Sequence, residues 1–344
     1  MISAADLAGN SSWQLYRVSP LRQLPADEDG LAGCSNRLLR ILRNEGPGSE
    51  PISIAGNANT KLPIDIKFDS EDFDFRGRNR PPGSTLAHGL TLSVIYQSRS
   101  YRAFIAPQRG HDVRSSSSLL LSRLPSATLR IMTSFLSGSF DCLIRPLVFS
   151  NAESHQILER YLSDVSELSG LQSGQVDVEQ AYLAAVGTEL GLDFLVTDAE
   201  VLAAGLKDYS VVIPADELIH DFLGLPLAPD HAPEQAQSGF WERFYLWQSH
   251  QMGLSPPAHL APTGKRDSGN SSESQRAGDR GSVLLNKIAC GAWKMSAGPP
   301  ASLQLLKNNG TTAKDAVDLL ISDIVSFATH GTARVPHGLN DSSA

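Results

Sequence analysis

Five carboxylates crowd one stretch of the chain: Asp198, Glu200, Asp216, Glu217 and Asp221. They fall at expected strand ends and helix starts, where open α/β sheets gather ligand groups. A set of this kind can hold Mg²⁺ for hydrolysis. A plainer role competes with that chemistry. No glycine-rich phosphate loop accompanies the acids, and acids in a first helical turn cap backbone N–H groups and complement the helix dipole. Asp198 and Asp216 are therefore expected as caps. No metal or other cofactor is expected, and the chain is expected not to be an enzyme. A carboxylate-metal hydrolase on residues 193–221 is the alternative.

Two other groups of residues invite a chemical reading. Arg76, Arg78 and Arg80 lie in the loop sequence RGRNRPPGS and are the candidate chromatin contacts, which makes a nucleic-acid-binding module a second alternative. One loop supplies few phosphate contacts, however, and a solvated loop explains it as well. Phe240, Trp241, Phe244, Tyr245 and Trp247 form an aromatic run. Few cations are interleaved with it, so core packing fits better than a base-stacking platform. Cys34, Cys142 and Cys290 are odd in number and far apart, which implies neither a disulfide framework nor a zinc site.

The elements that position these residues can be read from periodicity. Trp13 to Val18 alternates as a strand and Ser19-Pro20 ends it. RLLRILR, from Arg37 to Arg43, reads as a helix with Leu38, Leu39, Ile41 and Leu42 buried. Ile64 and Ile66 mark one short strand within a Gly/Pro-rich segment, 44–85. Leu90 to Tyr96 and Tyr101 to Ile105 read as a hairpin. Leu129, Met132, Phe135 and Leu136 give a helical stripe that Gly138 is expected to end. A short β run follows at Phe140 to Leu147, limited by Pro146. Ser150 and Glu153 have capping-box spacing ahead of a helix with Ile157, Leu158, Tyr161, Leu162 and Val165 on its apolar face.

Phe194 to Val196 and Tyr209 to Ile213 read as two strands around a helix, a candidate parallel pair. Val283 to Met295 reads as two strand-like halves that meet near Cys290-Gly291, with a further strand at Leu303 to Leu306. Val317, Leu320, Ile321, Ile324, Val325 and Ala328 form the clearest helical stripe. The pattern is α+β, a mixed but mostly antiparallel sheet with helices packed on one face.

With 41% hydrophobic and 19% charged residues among 344, the chain suits a globular protein. The expected parts are 11–165, 166–254, a flexible Ser/Gly/Asn/Arg-rich insertion at 255–282, and 283–331, together one continuous globular unit. A formal net charge of −8 argues against a broad basic face for nucleic acid. No charged n-region precedes an apolar run, so no signal peptide is expected. No apolar run is long enough to span a bilayer, so no membrane partner is expected.

LLLSRLP from Leu119, SFLSGSFDCLIRPL and LERYLSDV, with WQLYRVSPL from Trp13, resemble the pattern of fungal members of the centromere protein L family. The matching motif positions are Trp13, Tyr16, Pro20, Leu21, Leu124, Pro125, Phe140, Asp141 and Pro146. The resemblance implies a non-enzymatic adaptor of the inner kinetochore, located in the nucleus at the centromere. It further implies a curved sheet with an exposed concave surface, and pairing with a centromere protein N-like subunit through the C-terminal half. Other inner-kinetochore subunits, and the centromeric nucleosome indirectly, are the further implied partners, and a homodimer is a further possibility.

The run from Val283 to Leu306 is apolar and β-capable and follows the insertion. It is expected to be an exposed edge that a partner strand covers. Leu285, Lys287, Ile288, Trp293, Leu303 and Leu305 are the candidate interface residues. The competing reading is a central strand already paired on both sides.

Overall fold

The computed structural model describes residues 2, 7–8, 12–45, 63, 65–73, 87–96, 99–108, 110–168, 183, 185–197, 199–218, 239–252, 283–306 and 311–330. One open sheet of eleven strands runs through them. In chain order the strands are β1 (Trp13–Val18), β2 (Asp65–Phe73), β3 (Ala87–Tyr96), β4 (Arg99–Pro107), β5 (Ser118–Ser122), β6 (Ile144–Pro146), β7 (Glu189–Val196), β8 (Asp208–Pro214), β9 (Val283–Ala289), β10 (Trp293–Ser296) and β11 (Ser302–Leu305). The described helices are α1 (Glu28–Glu45), α2 (Ser126–Phe140), α3 (Asn151–Leu168), α4 (Ala199–Ala203), α5 (Ala215–Glu217), α6 (Phe240–Met252) and α7 (Thr311–His330).

The spatial order is β2-β3-β4-β5-β1-β11-β10-β9-β7-β8, with β6 beside β1. Every pair of named strands is antiparallel. The fold class is thus the expected α+β with a mostly antiparallel sheet. The candidate parallel pair is corrected: β7 and β8 run antiparallel, from Glu189↔Pro214 to Leu195↔Asp208. The helix between them, α4, is five residues long. A parallel crossover needs a dozen or more residues between its strands.

β1 joins the two halves of the sheet. It pairs β5 along one side. Its other side is shared between β11, at Trp13 and Gln14, and β6, at Tyr16 to Val18. The third strand residue of β6 is Pro146, where the run stops, as its missing N–H requires.

The helices divide between the two faces, which corrects the expectation of one covered face. Leu119, Leu120 and Leu121 of β5 are all fully buried, and they alternate between two cores. A strand that is apolar on both sides needs cover on both sides. One core takes Leu120 with Leu90, Leu92, Ile105 and Phe68 under Leu38 and Leu42 of α1 and Leu129, Met132, Phe135 and Leu136 of α2. The other takes Leu119 and Leu121 with Trp13, Leu15, Leu192, Leu285, Trp293 and Leu303 under α3, α6 and α7.

Local signals explain most helix ends. The capping box that opens α3 is complete: Glu153 accepts from the Ser150 backbone N–H at 2.8 Å, and the Glu153 N–H donates to Ser150 Oγ at 3.2 Å. The full stripe of α7, Val317 to Ala328, is buried. α2 differs from its expected end. It runs past Gly138 to Phe140 and stops on Asp141 in the left-handed region, φ 49°. The extra turn buries Phe140 beside Phe135, with the rings 6.0 Å apart and edge-on. The turn between β9 and β10 depends on a close approach of two glycines. A Cβ on Gly291 would lie 2.6 Å from Gly187 Cα, so only glycine fits.

Candidate partner-binding edge

The residues expected to form the interface are mostly unavailable to a partner. β9 is paired by β7 and β10, β10 by β9 and β11, and β11 by β10 and β1. Leu285, Ile288, Trp293, Leu303 and Leu305 are buried in the core beneath α3 and α7. The exposed-edge expectation for 283–306 is therefore corrected to a set of central strands. Its apolar composition reflects burial, and two of the strands that pair it, β7 and β1, lie far away in sequence, β1 at the other end of the described chain. Lys287 is the exception. A bulge in β9 at Asn286, opposite Asp193 and Phe194, shifts the register and leaves Lys287 on the outer face, where its Nζ lies 3.1 Å from Asp193 Oδ2.

The open edge is β8. β7 covers one side of it, and no strand covers the other among the described residues. The backbone bonds just beyond this ladder, Val196 N–H to Lys207 C=O and Ala215 N–H to Thr188 C=O, fix its phase. In an antiparallel pair, hydrogen-bonded and non-hydrogen-bonded rungs alternate. The odd-numbered residues of β8 therefore bond β7, and the N–H and C=O groups of Ser210 and Val212 point to the open side. Side chains alternate too: Val211 and Ile213 enter the core, while Ser210, Val212 and Pro214 are exposed.

The face beside this edge carries both apolar and charged groups. Val212 is 56% exposed and Leu195, on neighbouring β7, is 41% exposed. Between them Asp193 accepts a 2.7 Å bond from Ser210 Oγ and faces Lys287. Partial burial pushes the Asp193 carboxyl up. The Ser210 hydrogen bond and the Lys287 charge outweigh it and hold the carboxyl below its ordinary value.

The opposite end of the sheet is differently built. β2 carries Asp65, Lys67, Asp69, Glu71 and Asp72, the charged dressing that keeps an edge from pairing. From Tyr209 to Ile213, β8 has no charge and no proline. Sequence reasoning read this run as a strand but not as an edge. Its missing charges were the available signal.

Of the five carboxylates, only the side chains of Asp216 and Glu217 lie among the described residues. Asp198 and Asp221 lie outside the described residues, as does the side chain of Glu200, and Arg76, Arg78 and Arg80 also lie outside them. Asp216 and Glu217 are exposed in the short α5, whose N-cap is Pro214 with no side-chain cap bond. The expected cap at Asp216 is thus corrected: it sits inside the first turn. Among the described residues no three His, Cys, Asp or Glu side chains gather where a metal ion can be held. Burial pushes the Cys290 thiol up to about 11, away from the thiolate a nucleophile needs. No described helix is long and apolar enough to cross a membrane.

The aromatic run of α6 is core, as expected, except for Trp247, which is exposed. Trp241, Phe244 and Tyr245 are buried, and Trp241 Nε1 donates to the His155 carbonyl of α3 at 2.9 Å.

Comparison with known families finds a match, over residues 9–329, to the family described as Centromere protein L. No curated protein matches the chain.

Proposed function

Because this chain belongs to the centromere protein L family, a family with a kinetochore-associated role, we propose that it acts as a non-enzymatic adaptor of the inner kinetochore. In this reading it resides at the centromere in the nucleus and pairs with a centromere protein N-like subunit. Pairing occurs by strand addition to β8. The observation that carries the reading is the outward-pointing backbone of Ser210 and Val212, in a run from Tyr209 to Ile213 that has no charge and no proline. A partner strand there satisfies free donors and acceptors and covers Val212 and Leu195. The Asp193–Lys287 pair beside them supplies fixed charges that set register and orientation.

The test is a proline at Val212. It removes an outward donor while breaking no bond to β7, so the chain keeps its fold. Val212→Pro is expected to abolish co-purification with the centromere protein N-like subunit of the same organism while the melting temperature stays near that of the wild type. Undiminished co-purification would place the interface elsewhere. If instead the isolated wild-type chain is a dimer in light scattering and Val212→Pro is a monomer, the edge joins two copies of this chain.

A further inference from the structure

Far from β8 in the strand order, three arginines surround one cavity of about 530 Å³ at the junction of β1, β4 and β5. Arg102 and Arg123 are held side by side, because the Arg123 N–H donates to the Arg102 carbonyl at 3.0 Å. Arg99 completes the set from the start of β4. The Arg123 guanidinium lies over the Trp13 ring, 4.9 Å from its centroid. Trp13 is itself fixed: it is 1% exposed, and its Nε1 donates to the Leu7 carbonyl at 2.8 Å. One cation is thus pre-oriented by a buried aromatic, while Arg99 and Arg102 are exposed and free to close. Ser100 and Tyr101 also line it, and among the described residues no carboxylate does. None of the three guanidiniums has a carboxylate partner among the described residues.

We propose that this cavity binds the phosphoryl group of a phosphorylated serine or threonine in an extended segment of a partner protein. Planar guanidinium forks match phosphate oxygens in pairs, and a cluster of them around one point suits one compact dianion. The cavity volume suits a phosphorylated side chain and its flanking backbone. A nucleic-acid surface needs a stripe of cations along a backbone. Here Arg102 and Arg123 stand opposite one another beside a cavity that Arg99 also lines, on a chain of net charge −8. The site is separate from the β8 edge and does not depend on the pairing proposed there. A chain with both surfaces joins a constitutive partner at one end of its sheet to a phosphorylation-controlled partner near the other.

The experiment is fluorescence anisotropy with the full chain at physiological salt and no partner subunit present. The probes are a fluorescein-labelled degenerate peptide pool with a central phosphoserine, the same pool with serine, and a short DNA duplex. The phosphoserine pool is expected to bind about tenfold or more tightly than the serine pool, and Arg102→Ala to remove that difference. Arg102→Lys, which keeps charge but loses the fork, is expected to restore only part of it. Equal binding of the two peptide pools, or none, overturns the proposal. So does duplex binding at least as tight as that of the phosphoserine pool and equally sensitive to Arg102→Ala. Arg102 is exposed, so its loss should leave the fold intact. Should the variant fail to fold, the wild-type comparison of the two pools decides alone.

Discussion

Phe140 lies two residues past the glycine that appeared to end its helix, and its burial is the reason the helix continues. The side chain is 2% exposed and packs edge-on against Phe135, beneath the β2–β5 half of the sheet. Phe140→Ala is expected to cost about 3–5 kcal/mol, the range for a large-to-small change in a packed core. Chemical denaturation with both variants checks it, and unchanged stability would mean that the site collapses without loss. The same residue shows what sequence conceals at this scale. Gly138 is a sound stop signal taken alone, and the apolar stripe through Leu136 gives no hint of its failure. The deciding term is a contact with Phe135, whose ring in turn meets Phe68 of β2, a strand distant in sequence. Asp141 then takes the left-handed conformation, which aspartate tolerates better than most residues. By contrast the capping box of Ser150 and Glu153 was fully legible, because all its atoms lie within one turn.

Among elements, most strands were legible, β5 excepted, and beyond the β3–β4 hairpin their neighbours were not. β1, the β3–β4 hairpin and the β9–β10 hairpin show in period-two alternation, since alternation is a property of the strand alone. Whether a strand is central or at an edge depends on what pairs with it, and those partners are distant in sequence. β9 and β8 illustrate this. Both are apolar and seven residues long, yet β9 is enclosed by β7 and β10 while β8 is open on one side. Proline substitution separates them. The Leu285 N–H donates to Asn151 Oδ1 at 2.8 Å inside the core. Leu285→Pro orphans that buried acceptor, at a cost of about 1–3 kcal/mol for Asn151 alone, and disturbs a central strand besides. The isolated chain is expected to lose its cooperative melt, whereas Val212→Pro keeps it. A normal melt for Leu285→Pro would return β9 to the edge. Of the candidate interface residues, only Lys287 reaches the surface, carried there by a bulge that composition does not announce. The arginine cavity was equally hidden, because Arg99, Arg102 and Arg123 are adjacent only after β4 and β5 pair.

At the scale of the whole molecule, β1 is the seam. On one side lie β5, β4, β3 and β2, and on the other β11, β10, β9, β7 and β8. Leu15 is fully buried among side chains from both sides, including Leu121 and Leu303. A charge placed there should therefore be felt by both halves at once. Leu15→Asp is expected to lower hydrogen-exchange protection of β3–β4 and β9–β10 together, as one cooperative unit. Loss of protection in one half only would show that the halves fold independently. The position of β1 also sets an order of events during synthesis. Trp13 emerges from the ribosome long before its partner Leu303 in β11, with most of the other strands made in between. Domain-by-domain folding on the ribosome is the usual protection of long chains. Here the half built on β2–β5 can gather around β1 while translation continues, but the Trp13–Gln14 part of β1, which β6 leaves uncovered, then faces the crowded cell until β11 arrives. Contacts that span so much of the chain are slow to form. A chaperone, or the nascent chain's own later strands, must guard that side in the interval, and stalled or truncated translation leaves it as an adhesive edge.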